Sequence, residues 1–186
     1  MLNIHVMGAP GSGTTTLGQA LAETLGIRHL DTDHFFWMPT DPPFTTQRPV
    51  EARVLMLREA IQGADGWVLS GSALKWAAEF EPLYDLIVFL RIDPVKRMAR
   101  IREREETRYG ERIKPGGDMA EKSREFLEWA KSYDTAGPER RSAASHEEWL
   151  KDRATPLLRL DSSEPVDSLV EEVLRHPALR TEGPLA

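Results

Sequence analysis

Three groups of residues in this chain could do chemistry. The first is the run Gly8-Ala9-Pro10-Gly11-Ser12-Gly13-Thr14-Thr15. Glycines at these spacings let the backbone turn tightly and aim successive N–H groups into one concavity, a nest for phosphate oxygens. An apolar stretch precedes the run and a helix-forming stretch follows it, so a helix N-terminus backs the nest. Gly8, Gly11, Ser12, Gly13, Thr14, Thr15 and Thr16 are the candidate phosphate-binding residues. In the pattern G-x-x-x-x-G-K-[ST], Thr15 takes the position whose hydroxyl ligates Mg²⁺. Thr14 stands where that pattern has Lys. Without a ligand the run would be only a glycine-rich turn.

The second group is Asp31 and Asp33, at the end of a second apolar stretch, His29-Leu30-Asp31-Thr32-Asp33. In open α/β sheets ligands bind beyond the carboxyl ends of strands. A carboxylate there can orient or deprotonate an acceptor hydroxyl, or hold a metal-bound water. The alternative for Asp31 is to cap the next turn. Phe35, Phe36 and Trp37 follow, able to stack on an acceptor ring or simply to fill a core. His34 beside them is read as a surface histidine.

The third group is the row Arg97, Arg100, Arg102, Arg104, Arg108 and Arg112. A helix running that far would put 100, 104, 108 and 112 on neighbouring turns of one face. Glu103, Glu105, Glu106 and Glu111 lie among them, so the row is either a salt-bridged exposed helix or a phosphate clamp. Phosphoryl transfer places charge on the equatorial oxygens, which guanidinium groups match well. A phosphate loop without Lys raises the demand for such charge.

Five short apolar runs must carry these groups: Leu2–Met7, Arg28–Asp31, Trp67–Ser70, Asp85–Arg91 and Pro156–Leu160. Stretches with helical spacing separate them. Leu17, Leu21 and Leu25 form one stripe, ended by Gly26. Val54, Leu57 and Ile61 form another, and Val166, Leu169, Val170, Val173 and Leu174 a third. Ser163 lies just before this last helix and Pro165 in its first turn. Asp93-Pro94 reads as a helix start. Phe126, Trp129, Ala130 and Tyr133 share a helix face and read as core. Strands alternating with helices predict a parallel sheet with helices on both faces. The polar, glycine-rich segment 108–118 reads as a flexible lid insert, Asp134–Pro138 as a second loop, and the tail from Pro177 as frayed.

The chain has 186 residues and 40% of them are hydrophobic, which suits one domain over 1–186. With no cysteine, disulfides, thiolate metal sites and Cys nucleophiles are excluded. A net charge of −6 argues against nucleic-acid or membrane partners. No signal peptide and no apolar run of about 18 residues is found, so a cytoplasmic protein is expected. The sequence specifies no oligomeric state.

Gly8-Ala9-Pro10-Gly11-Ser12-Gly13 resembles the opening of adenylate kinases, which also carry a Thr matching Thr16. Gly13-Thr14-Thr15-Thr16 is similar to the lysine-free loop of archaeal cytidylate kinases, where loss of Lys does not imply loss of activity. Asp31-Thr32-Asp33 resembles shikimate kinases, whose second Asp lies near the acceptor hydroxyl and the metal. That implies a catalytic and metal-side role for Asp33, with Thr15 as the other metal residue. His29-Leu30-Asp31 with Phe36-Trp37-Met38-Pro39 looks like the FlaR-like, or DNA topology modulation, proteins. Those tend to have Asp-Gly-Asn where this chain has Ser70-Gly71-Ser72. Gly71 is expected to allow close approach of substrate or of the phosphate loop, and Lys75 to be a solvated helix residue. In adenylate kinase-like enzymes the helix before the lid carries Arg-Ile-x-x-x-Arg, whose guanidiniums contact the transferred phosphate. Arg100-Ile101-Arg102-Glu103-Arg104 resembles it, with Arg104 one residue short of the second Arg, and the resemblance implies catalytic roles for Arg100 and Arg104; Arg108, one turn on, is a further candidate.

The resemblance implies a three-layer α/β/α P-loop NTPase fold with a five-stranded parallel sheet in the order 2-3-1-4-5 and a short helical lid. It implies ATP or GTP and Mg²⁺ as cofactors and phosphoryl transfer to a small-molecule acceptor, a nucleotide or a hydroxylated metabolite. Two other functions fit the same residues. One is a non-catalytic nucleotide-binding sensor with a degenerate loop. The other is a partner-dependent NTPase, for which Ser70-Gly71-Ser72 offers neither a second carboxylate nor a water-positioning residue.

Overall fold

A computed structural model describes residues 1–151 and 153–179. The expected tail therefore lies outside the described residues beyond 179, while Pro177–Leu179 forms a 3-10 turn. The strands are β1 (Leu2–Gly8), β2 (Arg28–Asp31), β3 (Gly66–Ser70), β4 (Leu86–Arg91) and β5 (Leu157–Asp161). The helices are α1 (Thr14–Leu25), α2 (Thr32–Phe36), α3 (Val50–Ile61), α4 (Pro94–Tyr109), α5 (Ala120–Lys131), α6 (Ala143–Lys151) and α7 (Val166–Leu174). Two compact units are formed. Of the described residues, one comprises Met1–Gly8, Gly13–Leu90 and 154–179; the other comprises Ala9–Ser12 and the described part of 91–153.

The first unit is built on a parallel sheet in the order β2-β3-β1-β4-β5, as expected. The inner strands β1, β3 and β4 are apolar along nearly their whole length because both their faces are buried. Val6 and Asp31 both lie opposite Ser70, and Gly8 lies opposite Leu90. The ends of β1, β2 and β3 therefore emerge together at one edge. Ile4, Val6, Val88 and Leu90 pack with Leu17 and Leu21 of α1 and Leu169, Val170 and Val173 of α7. Each such side chain, fully buried, contributes about 1.5–3 kcal/mol. Gly26 ends α1 with φ 65°. Pro165 is the residue before α7 rather than part of its first turn.

In the second unit, Asp93 caps α4 by accepting from the Val95 and Lys96 amides at 2.9 and 3.0 Å. Met98, Ile101 and Ala130 form its core with Phe126, Leu127 and Trp129. Buried Glu105 accepts a hydrogen bond from Ser123 of α5 at 3.0 Å. The helix does not reach residue 112. It stops at Tyr109 because Gly110 takes φ 52° and the chain enters a 3-10 turn, Gly110–Ile113. Arg112 thereby leaves the arginine row and grips Asp118 with two hydrogen bonds, 3.0 and 2.6 Å. The expected flexible insert is thus the last turn of α4 plus a closed turn. The Lys114 carbonyl accepts from the Gly117 amide at 2.8 Å, and the Arg112 carbonyl from the Met119 amide at 2.9 Å. Among the described residues, no helix is long and apolar enough to cross a membrane.

Candidate active site

In the first unit the site starts at the N-terminus of α1. The residue before that helix is Gly13, so no side chain caps it, and its first turn holds no acidic residue. Its leading amides are left for an anion, which the helix dipole also favours. Thr14 is half-buried, and Thr15 and Thr16 are exposed on the first turn. The Thr15 hydroxyl donates to Asp31 Oδ2 at 2.8 Å. The other oxygen of Asp31 accepts from the Asp33 amide at 2.9 Å and so caps α2. The capping alternative for Asp31 is thus what the structure shows, and its second oxygen also meets the Thr15 hydroxyl. Asp33 is exposed in the first turn of α2.

The surroundings hold this corner rigid. His29 and Ser70 share a hydrogen bond of 2.9 Å between β2 and β3. Gly71, with φ 102°, lies so close to Thr32 that an added Cβ would sit 2.0 Å from its hydroxyl. The close approach that this glycine allows is that of the turn carrying Asp31 and Asp33, instead of the substrate or phosphate loop. Phe35 is buried core. One face of Phe36 is covered by the Arg53 guanidinium at 3.8 Å, and Trp37 packs edge-on against Phe36 and Phe44. These aromatics fill the hairpin closed by the Trp37–Gln47 bridge. Lys75 lies in a turn with φ 71°, not in a helix.

The second unit contains the crown of the phosphate loop, Ala9–Ser12, and the arginine helix. Gly11 has φ 78°, and a Cβ on it would lie 2.6 Å from Ile101 Cγ1 and 3.2 Å from the Arg97 carbonyl oxygen. Only glycine lets the crown lie this close to α4. Ser12 is fully buried and its hydroxyl has no hydrogen-bond partner among the described residues. Arg100, Arg104 and Arg108 do come together. With Glu103 and Thr107 they line an open cleft of about 470 Å³. Arg104 is half-buried, 5.7 Å above the Phe126 ring, and Arg108 hydrogen-bonds Tyr109. Burial, then Glu105, pushes the Tyr109 hydroxyl above its ordinary range, against Arg108.

Arg97 behaves differently from the rest of the row. It is 1% exposed and turned inward. The sequence signal was its position four residues before Ile101 on the buried face of α4, where an apolar residue would be usual.

These residues fit a magnesium nucleotide. The uncapped helix and the glycine crown suit a polyphosphate, and the Thr15–Asp31 pair suits a hard cation. Among the described residues no three His, Asp or Glu side chains converge as a metal cage. Mg²⁺ needs none, since it takes one or two protein oxygens with phosphates and water.

The chain is 41% identical over 172 residues to an uncharacterized protein of Bacillus subtilis strain 168, YqaC, across 92% of this chain and 95% of that one. Its fold is similar to that of a shikimate kinase from Bacteroides thetaiotaomicron, with TM-score 0.55 and 18% identity, covering 93% of this chain and 96% of that one. It is also similar to a gluconokinase from Sinorhizobium meliloti 1021, with TM-score 0.54 and 16% identity, covering 93% and 89%. The five-stranded parallel sheet with flanking helices is thus the α/β/α P-loop kinase fold. Residues 4–128 match the AAA domain family, and the chain belongs to that family.

Proposed function

We propose that this protein is a Mg²⁺-dependent phosphotransferase that moves the terminal phosphoryl group of ATP, or GTP, to a hydroxyl or phosphate of a small molecule. The observation that carries this reading is the Thr15–Asp31 hydrogen bond at the uncapped start of α1. It sets a metal-type hydroxyl and a carboxylate beside helix amides that no side chain caps. The kinase fold of the two solved neighbours supports it, and what they act on suggests a hydroxylated metabolite as much as a nucleotide.

In this reading the amides of 11–15 hold the donor phosphates. Thr15 and Asp31 would hold Mg²⁺, which would supply positive charge for the phosphate oxygens. Asp33 faces the acceptor, orients its hydroxyl and takes its proton as the new P–O bond forms and the bond to the nucleoside diphosphate breaks. Arg100, Arg104 and Arg108 supply the positive charge that a Lys at position 14 would have brought. Metal binding thus falls first to Asp31, and Asp33 keeps the acceptor side.

The test is nucleotide turnover in the presence of Mg²⁺ with panels of nucleoside monophosphates, nucleosides, hydroxy acids and sugar acids, preceded by thermal-shift screening. A donor at about 100 times its Kd should stabilise by about 2.7 kcal/mol. No shift and no calorimetric heat with millimolar MgATP or MgGTP would refute it. Thr14 favours one rival reading, a nucleotide sensor without turnover. Binding without transfer to any acceptor would support that rival.

A further inference from the structure

We infer that Arg97 is a positioning residue that bolts the crown of the phosphate loop to the α4–α5–α6 unit. This rests on the phosphotransferase reading above. Its guanidinium donates through Nη1 to the Pro10 carbonyl at 3.4 Å and to the Ala130 carbonyl at 3.0 Å. Through Nη2 it meets Asp134 at 2.6 Å. It also stands 5.3 Å above the Tyr133 ring. Tyr133 in turn hydrogen-bonds His146 of α6 at 2.8 Å. Pro10 is 87 residues away in sequence, so one buried cation joins the crown, the end of α5 and the α5–α6 connection.

Two things follow from the chemistry. The positive charge of Arg97 already faces Asp134, so it does not replace the absent Lys. A guanidinium can serve three acceptors in fixed directions at once, which an ammonium on a flexible stem does not reproduce. On the next turn Ile101 fills the space that a side chain at residue 11 would need. Arg97 and Ile101 hold the crown, while Arg100, Arg104 and Arg108 line the cleft on the same helix. A single helix thus carries both the side chains that hold the crown, Ala9–Ser12, and the charges that line the cleft. Displacement of about 1 Å at such a site can cost about 10²-fold in rate.

The experiment compares wild type, Arg97→Met, Arg97→Lys and Asp134→Asn by two measurements. The first is hydrogen exchange of the Ser12 amide in the nucleotide-free protein. That amide bonds the Ala9 carbonyl at 3.1 Å and so reports on crown closure. The second is MgATP affinity. Both Arg97 variants should speed Ser12 exchange and weaken MgATP, each by on the order of tenfold, the equivalent of one charge-assisted hydrogen bond. Asp134→Asn keeps the bonds from Arg97 to both carbonyls and should change either one much less, even if its melting temperature falls. Unchanged Ser12 exchange in the Arg97 variants would overturn the inference and make Arg97 a packing residue of α4–α6. If Arg97→Met does not fold, Arg97→Lys decides. If wild type binds no nucleotide, the phosphotransferase reading fails, while the exchange result still decides the bolt.

Discussion

Acidification should destabilise this protein through His5, at the centre of β1, the strand that leads into the phosphate loop. His5 is fully buried, stacked on Tyr84 at 4.9 Å, with Nδ1 3.2 Å from the Leu69 carbonyl. Burial pulls its pKa from the ordinary 6.5 down to about 4, against the backbone hydrogen bond, which raises it. Between these two values the unfolded chain carries the extra proton, so stability falls as pH falls. The contribution is fully present above pH 6.5, shrinks through the window, and is gone below about 4. A shift of this size corresponds to about 3 kcal/mol in all, most of which is lost by about pH 4.5. The assay is urea unfolding of wild type and His5→Gln at steps from about pH 8 to 4.5. The burial of His29 also lowers its pKa, against Asp31 and Glu23, so the difference between the two proteins is what isolates His5. Wild type should lose about 2–3 kcal/mol more than the variant over that range. Parallel pH profiles would refute the claim that the fold holds this imidazole neutral.

Other outcomes are expected at the site itself. Thr14→Lys should give little gain in single-turnover transfer in wild type but should partly restore Arg104→Ala, which alone should cost about 10²-fold; a gain of orders of magnitude in wild type would show that the arginines do not supply the charge. Asp33→Asn should lower turnover far more than it weakens MgATP, whereas Asp31→Asn should weaken the Mg²⁺ dependence of nucleotide binding, and calorimetry across Mg²⁺ concentrations separates the two. Gly71→Ala, with its Cβ forced against Thr32 at a φ of 102°, should destabilise by at least about 2 kcal/mol, and Thr32→Ala in the same chain should recover part of that in chemical denaturation.

The inner strands were legible because a parallel sheet buried on both faces demands continuous apolar runs, and Leu2–Gly8 and Leu86–Arg91 stand within a residue of what those runs imply. The arginine row was legible as far as Arg108, since four-residue spacing fixes a helical face. Its end was not, because Gly110 adopts a turn conformation that the charge pattern does not announce. Arg97 looked like one more member of the row. Its partners, Pro10, Ala130 and Asp134, lie 87, 33 and 37 residues away, and no local pattern encodes such contacts. The double engagement of Asp31 was hidden for the same reason. Its cap to Asp33 is a neighbour's bond, but its bond from Thr15 depends on how β2 sits beside the start of α1.

The outer strands of the sheet have a further consequence, for colloidal behaviour. β2 has four residues and β5 five, and each carries an exposed arginine, Arg28 and Arg159. Arg28 turns toward α3 and donates to the Ala60 carbonyl, while Arg159 lies 5.3 Å above the Phe89 ring. An open sheet edge is a template on which a second chain can add a strand and start fibrous growth. Here either edge offers only a short ladder, four residues on β2 and five on β5. Short outer strands that each carry a charged side chain are poor templates for edge-to-edge pairing.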